Sequence, residues 1–145
     1  MDPGKFLTEQ EEKAVINAIQ EAELNTSGEI RVHFERGSEL APIERAQEVF
    51  FSLGMDNTRN KNGVLFYVAV DDHQFAIIGD EGIDQKVPDD FWESIRDEVI
   101  REFKKQDFGE GLRLGILHTG EKLKEFFPYD DSDENELSDE ISRQL

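Results

Sequence analysis

The stretch that decides the fold is Asn62 to Gly82, NGVLFYVAVDDHQFAIIGDEG. It contains an uncharged run, VLFYVAV at 64–70, which is rich in β-branched and aromatic residues and is bounded by turn residues. Such a run predicts a strand that is buried on both faces of a sheet. A short polar connection, DDHQ at 71–74, precedes the apolar run FAII at 75–78. This pattern predicts that the chain returns antiparallel as a β-hairpin.

The segments before the hairpin alternate between helix and strand patterns. Thr8 and Glu11 have the spacing of a capping box, and the apolar residues after them predict an amphipathic helix that ends near Asn25. Residues 29–35, EIRVHFE, alternate charged or polar with apolar side chains, which predicts a strand with one wet face and an exposed His33. A helix begins at Pro42, so the order strand, helix, strand predicts a parallel right-handed crossover.

Two more helices are predicted after the hairpin. The first opens at Val87–Asp90, where Pro88 suits the first turn, and the second opens at Asp107 and ends before Pro128. Three glycines inside the last helix, at 111, 115 and 120, are best explained by close packing. The sequence therefore predicts an α/β fold, namely a three-layer α/β/α sandwich around a mixed, mostly parallel sheet with a central β-hairpin and about four helices.

The composition changes at the end of the chain. Residues 1–128 have the patterning of a single folded domain, whereas residues 129–145 contain seven acids and one arginine. We expect this segment to be a disordered acidic tail. Its apolar residues Leu137, Ile141 and Leu145 are four apart, however, and this spacing allows docking as a short helix.

The net charge of the 145-residue chain is −18. Such a surface disfavours binding to nucleic acid or to anionic membranes and favours cations or basic partners. The absence of cysteine excludes disulfides, thiolate metal sites and cysteine nucleophiles. No apolar signal region or membrane-length apolar run is present, so we expect a cytoplasmic location and no membrane insertion.

The predicted topology brings polar residues from distant segments to one end of the sheet. The segments 26–29, 59–63 and 79–82 meet there, and the loop at 83–90 starts there. This end collects carboxylates and carboxamides, together with Arg59: Glu29, Asn60, Asn62, Asp80, Glu81, Asp84, Asp89 and Asp90. Oxygen-rich clusters of this kind suit calcium, or magnesium in tighter geometry. The alternative, which composition alone favours, is that these acids are merely solvated loop residues.

Five short motifs in this order resemble the TPM domain family. They are TSGEIRV at 26–32, RNKNGVL at 59–65, AIIGDEGI at 76–83, VPD at 87–89 and DFGEGL at 107–112. The resemblance spans about Glu9 to Phe127. The family is known from a thylakoid-lumen acid phosphatase and from photosystem II repair proteins, and it has many bacterial relatives. The resemblance implies an α/β/α sandwich, calcium binding, and phosphatase activity in some members.

The resemblance matches individual residues of this chain to positions in the motifs of the family. Glu29 matches the acid of the SGEI segment, Asn62 matches the NG that opens the central strand, and Asp89 matches the acid before the third helix. Asp80 and Glu81 replace a less acidic family pattern. The candidate metal ligands are therefore Glu29, Asn62, Asp80, Glu81 and Asp89, with calcium or magnesium as the cation.

Three functions remain open at this stage. The one we favour is a non-catalytic binding module for assembly or repair of a protein partner, because no residue set compels chemistry. The alternative is a metal-assisted acid phosphatase, in which Glu29 or Asp89 acts as base or ligand and Arg59 counters phosphate charge. His33, His73 and His118 are isolated in the sequence and do not supply a histidine pair. The third possibility is that the acidic end of the sheet is only a remnant and holds no ion.

Overall fold

The uncharged run at 64–70 lies at the centre of the fold in a computed structural model that describes residues 6–129 and 137–144. Within these residues the sheet has four strands in the order β3-β2-β1-β4: β1 (Glu29–Glu35), β2 (Gly63–Ala69), β3 (Gln74–Gly79) and β4 (Ser142–Gln144). β1 pairs in parallel with both β2 and β4, and β3 pairs antiparallel with β2. The predicted mixed sheet, with its hairpin and its parallel crossover, is confirmed.

The helices follow the predicted order. Among the described residues there are five: α1 (Glu9–Asn25), α2 (Pro42–Ser52), α3 (Glu81–Asp84), α4 (Glu93–Lys104) and α5 (Phe108–Leu123). The capping box is present, since the Thr8 hydroxyl accepts from the Glu11 amide at 3.1 Å and the Glu11 carboxylate accepts from the Thr8 amide at 3.0 Å. α4 begins later than predicted, because turns occupy residues 89–92. No helix of the described ranges is long and apolar enough to cross a membrane, and the cytoplasmic location stays a prediction.

Helices cover both faces of the sheet. Ile30, Val32 and Phe34 of β1 point to the face covered by α1, α4 and α5, where they join the larger apolar core. Leu65 and Tyr67 of β2 point to the opposite face and pack with α2 in a smaller core. The structure is therefore the predicted three-layer sandwich.

The glycines of α5 allow close helix packing, as predicted. A Cβ atom at Gly115 would lie 2.6 Å from Val99 Cγ2, and one at Gly120 would lie 2.7 Å from Ala22 Cβ. Real Cβ atoms do not approach side chains so closely. α5 can therefore lie against α1 and α4 only because these positions carry no side chain.

The predicted wet face of β1 is wrong. Glu29, His33 and Glu35 are each less than 5% exposed, although their alternation with apolar residues suggested solvent contact. α2 covers this face, and β4 closes the outer edge of β1, so the strand is interior rather than peripheral. A local alternation pattern cannot reveal that a segment about 110 residues downstream covers these polar side chains.

The C-terminal segment docks as a strand rather than as the short helix that its apolar spacing suggested. Ile141 is buried in the larger core, and residues 142–144 pair with residues 33–35 of β1. Extended backbone satisfies the open hydrogen-bonding edge of β1, which a helix cannot do. Residues 130–136 and Leu145 lie outside the described residues, and the division at residue 128 into domain and tail stays a prediction.

Candidate functional site

The end of the sheet where β1 and β2 begin and β3 finishes, termed here the loop end, brings together the predicted segments. The Glu29 amide donates to the Asn62 carbonyl at 3.2 Å, and the Asp80 amide donates to the Gly63 carbonyl at 2.9 Å. Gly82 lies so close to the loop before β2 that a Cβ atom there would be 2.5 Å from the carbonyl oxygen of Asn60. The juxtaposition expected from the topology is therefore present.

Two of the five predicted metal ligands, Glu29 and Asn62, are buried inside the loop end and form hydrogen bonds there. Glu29 is 4% exposed, and its Oε1 accepts from the Leu137 amide at 2.9 Å. Asn62 is 2% exposed, and its side-chain nitrogen donates to the Ser27 carbonyl at 3.1 Å. These contacts join the starts of β1 and β2 and attach the C-terminal segment to them.

Asp80 and Glu81 lie on the other side of the loop end, at the start of α3. Asp80 Oδ1 accepts from the Glu81 amide at 2.7 Å and so caps the helix. Burial, followed by the nearby charge of Asp80, raises the pKa of the Asp84 carboxyl. Asp80 Oδ2 is buried and has no hydrogen-bond partner within the described part of the chain. Asp80 and Asp84 therefore form a close acidic pair.

The structure does not bring all five predicted ligands together. Asp89 is exposed in the turn before α4, whereas Glu29 and Asn62 are buried between strands. In the described ranges, no three acidic or histidine side chains are arranged as a metal site. The assignment of Glu29, Asn62, Asp80, Glu81 and Asp89 as cation ligands stays a prediction.

A cleft of about 430 Å³ opens at the loop end, and its charge is the reverse of the expected sign. Three cationic side chains, those of Arg59, Lys61 and Lys86, line it beside one acid, Glu81. The Lys61 amine donates to the Asp56 carbonyl, and the Lys86 nitrogen lies 4.6 Å from the centre of the Phe127 ring. A cleft with this lining suits an anion better than a cation.

A second polar cluster, which sequence reasoning missed, lies at the opposite end of β1 and is termed here the Glu35 cluster. The Glu35 carboxylate accepts from Arg45 Nε at 2.8 Å, from Arg45 Nη2 at 3.1 Å and from the Tyr67 hydroxyl at 2.6 Å. His33 Nε2 lies 3.1 Å from Glu35 Oε1, and its Nδ1 lies 2.9 Å from Ser142 Oγ. Because a carboxylate only accepts, Nε2 carries the proton and Nδ1 accepts from Ser142.

The electrostatics of the Glu35 cluster favour one protonation state. Burial opposes the charge of Glu35, yet the hydrogen bonds from Arg45, Tyr67 and His33 hold its pKa below the ordinary value. Burial lowers the pKa of His33, which stays neutral. The pKa of the Tyr67 hydroxyl is raised by burial and by the adjacent carboxylate. All these groups are mutually satisfied, so the arrangement stabilises the fold and does not present a reactive group.

One sequence signal marks the Glu35 cluster. His33 and Glu35 are two apart on a strand and therefore point to the same face, and Tyr67 is the one hydroxyl in the apolar run at 64–70. A buried tyrosine hydroxyl needs a partner, which directs attention to the neighbouring strand.

Comparison with known proteins gives one family and several similar structures. The family model described as TPM domain matches residues 1–122. The NMR structure of the BA42 protein from the psychrophilic bacterium Bizionia argentinensis is 50% identical, with a TM-score of 0.91 and 96% of each chain covered. A comparison with curated proteins gives no significant match.

Two more distant structures share the fold. The N-terminal domain of a protein from P. gingivalis is 20% identical with a TM-score of 0.68, covering 84% of this chain and 79% of that one. The N-terminal domain of the cg2496 protein from Corynebacterium glutamicum is 14% identical with a TM-score of 0.61, covering 95% and 81%.

Proposed function

The chain belongs to the TPM domain family, and from this premise we propose that it is a non-catalytic binding module that assists assembly or repair of a protein partner. The observation that carries the proposal is the position of Glu29. This acid of the family motif is buried and accepts a hydrogen bond from the backbone of the C-terminal segment. A general base must reach the proton that it removes, whereas Glu29 serves as an attachment point inside the fold.

Hydrolysis of p-nitrophenyl phosphate tests this proposal. We expect no turnover above the buffer rate with calcium, with magnesium or with EDTA. Turnover by the unmodified chain that is lost in Arg59→Ala would overturn the proposal. Arg36→Ala is the matched control, because Arg36 is an exposed arginine at the opposite end of the sheet.

The second candidate function is a metal-assisted acid phosphatase, and the cationic cleft at the loop end is the observation that favours it. Arg59, Lys61 and Lys86 would bind the oxygens of a phosphomonoester. The exposed Asp89 is then a better candidate base than the buried Glu29. Under this hypothesis, Asp89→Asn lowers turnover and leaves phosphate binding intact.

A calcium site at the loop end is a further part of the proposal, and the acidic pair Asp80 and Asp84 supports it. Burial, followed by the charge of Asp80, raises the pKa of Asp84, and a cation beside these two carboxylates would relieve the repulsion between them. Calcium titration into EDTA-treated protein, followed by amide NMR, tests the site. We expect saturable shifts at residues 80–84 that are lost in Asp80→Asn and kept in the control Asp90→Asn. Shifts that do not saturate would indicate only charge screening and would contradict the site.

A further inference from the structure

The outer edge of β3 is open, in contrast to that of β1. β3 is the last strand in the sheet order, and no strand of the described residues pairs with its outer side. The amide of Asp80 donates to Gly63, so the hydrogen-bonded pairs with β2 alternate from there along the antiparallel register. The N–H and C=O groups of Phe75, Ile77 and Gly79 therefore point outward, away from β2.

A groove follows this open edge between two helices. One cleft of about 550 Å³ contains Ile77–Gly79, and a second of about 420 Å³ contains Gln74 and Phe75. One wall is a stripe of α4 and the residue before it, with side chains four apart: Trp92, Arg96, Ile100 and Lys104. The other wall is formed by the matching stripe of α2, which consists of Ile43, Gln47 and Phe51. We call this feature the β3 groove.

Both walls of the β3 groove expose large apolar side chains to solvent. Phe51 is 65% exposed, Ile43 is 47% exposed and Ile100 is 40% exposed. The other large apolar side chains that are exposed in the described ranges, Leu24 and Leu40 among them, do not line the groove. Apolar side chains on both walls, with unused backbone donors and acceptors between them, fit an added strand whose side chains alternate between the two walls.

We infer that the β3 groove binds an extended segment of a partner protein as a fifth strand, with apolar side chains at alternate positions and a basic side chain near the loop end. The inference rests on the proposed function, for which it names the contact surface and the chemistry of the partner. Pairing with Phe75, Ile77 and Gly79 supplies affinity through the backbone, and the two walls select the side chains.

The charge of the β3 groove specifies the basic residue. The part of the groove near the loop end is lined by four acids, Asp56, Asp80, Glu81 and Asp84, and by two bases, Lys61 and Arg96. Burial, followed by the charge of Asp80, raises the pKa of Asp84, and a lysine or arginine beside these two carboxylates would relieve the repulsion between them. A second copy of this chain is a poorer occupant, because each copy carries a net charge of −18.

Amide hydrogen exchange with a synthetic peptide tests the inference directly. The probe is an extended peptide in which valine alternates with threonine and lysines flank the ends, and EDTA is present to keep the acidic pair free of calcium. In the unbound chain we expect fast exchange at Phe75, Ile77 and Gly79 and slow exchange at Ala76 and Ile78, which bond to β2. Bound peptide should slow the first set and leave the second unchanged, a pattern that only strand addition produces.

Matched variants test whether the apolar walls and the acidic charge of the β3 groove contribute to peptide binding. Phe51→Lys should weaken peptide binding about tenfold, because it replaces an apolar wall with a charge that repels the lysines. Leu24→Lys is the control, since Leu24 is equally exposed on α1 and should bind the peptide as the unmodified chain does. Asp84→Asn should weaken binding less and should reduce its dependence on salt.

The possible outcomes separate this inference from the proposed function. Binding whose exchange protection maps to another surface, or no binding of the lysine peptide, would overturn the assignment to β3 and leave the binding module standing. Equal binding of a peptide with glutamate in place of lysine would overturn the charge specificity. Protection of Phe75, Ile77 and Gly79 in the free chain, with a dimer in sedimentation, would replace the partner segment with a second copy. Phosphomonoester turnover would overturn the proposed function itself.

Discussion

β1 and β3, the two neighbours of β2 in the sheet, differ on the side that faces away from β2. The edge of β1 is closed by β4 of the same chain, through backbone pairing, burial of Ile141 and hydrogen bonds to His33 and Arg45. The edge of β3 carries outward backbone groups between two partly apolar walls. The chain thus satisfies one edge internally with a sequence-distant segment and leaves the other available. An open edge is normally shielded in a stable protein, so the open edge of β3 supports the proposal that a partner segment binds there.

The largest expected effect is at the closed edge, in the Glu35 cluster. Glu35→Ala removes the acceptor for Arg45, for the Tyr67 hydroxyl and for His33, and leaves these groups buried or half-buried without it. We expect a loss of about 3 kcal/mol in the free energy of unfolding, measured by urea denaturation. Glu48→Ala removes only the exposed partner of Arg45 and should cost less than about 0.5 kcal/mol. Equal losses in the two variants would contradict the importance of the cluster.

A smaller effect is expected from loosening β4 itself. Ile141→Ala removes apolar volume from the core and should cost about 2 kcal/mol. It should also speed amide exchange along the outer edge of β1, while β2 stays protected. Leu24→Ala, at an exposed site on α1, is the control and should change neither quantity. Unchanged exchange in β1 would show that Ile141 does not hold β4 in place.

A pH effect sharpens the comparison, because the closed edge carries a protonated acid. Burial, then the neighbouring Asp139, raises the pKa of Glu23 to about 9, and Glu23 also accepts from the Ile30 amide at 3.2 Å. Because the pKa of Glu23 in the folded chain exceeds the ordinary 4.5, the folded state keeps a proton that the unfolded state releases. The stabilisation from this proton is complete below a pH of 4.5 and is lost as the pH rises towards about 9.

Urea midpoints measured from about pH 7 to about pH 9 test this effect, and His33 is neutral throughout that range because its pKa is lowered. The midpoint should fall for the unmodified chain and stay level for Glu23→Gln. Glu21→Gln, at an exposed position on the same helix, should behave like the unmodified chain. A fall of equal size in Glu23→Gln would show that another group causes the loss.

The smallest expected effect is at the open edge. Phe51→Lys should change the free energy of unfolding by no more than about 0.5 kcal/mol, because Phe51 is mostly in solvent. Urea denaturation of this variant, beside Phe50→Lys on the adjacent buried position, measures the difference. A cost for Phe51→Lys close to that for Phe50→Lys would mean that the groove wall supports the fold and is not reserved for a partner.

Sequence reasoning succeeded where the signal is local. The uncharged run at 64–70, the polar turn after it and the capping box at Thr8 determine their own conformations within a few residues, and these elements are confirmed. The meeting of distant segments at the loop end followed from the strand directions, because β1 and β2 run parallel and β3 returns antiparallel. The segment Ser142–Gln144, in contrast, has no strand pattern of its own and becomes a strand only because β1 offers an edge. His33 is buried because that segment docks beside it, so the prediction that His33 is exposed was wrong.

The opposite charges of the two clefts could not be predicted from the sequence, again because they depend on tertiary structure. The sequence places Arg59, Lys61 and five acids in neighbouring loops, and simple proximity predicts one mixed cluster. The structure separates most of them. Asp84 of α3 and its N-cap Asp80 line the β3 groove, whereas Arg59 and Lys86 line the loop-end cleft; Lys61 and Glu81 line both. The direction of the side chains on the four-residue helix α3 decides which residues line which cleft, and composition cannot predict that direction.

The glycines of α5 have a consequence for the order of folding. Each glycine in a helix interior costs about 0.5–1 kcal/mol relative to alanine, so α5 gains little from its own backbone and depends on contact with α1 and α4. α1, which has a complete capping box, can form early as a nascent helix. We therefore expect α5 to acquire its hydrogen bonds only as it docks, late in the transition, so that substitutions along it change the unfolding rate more than the folding rate.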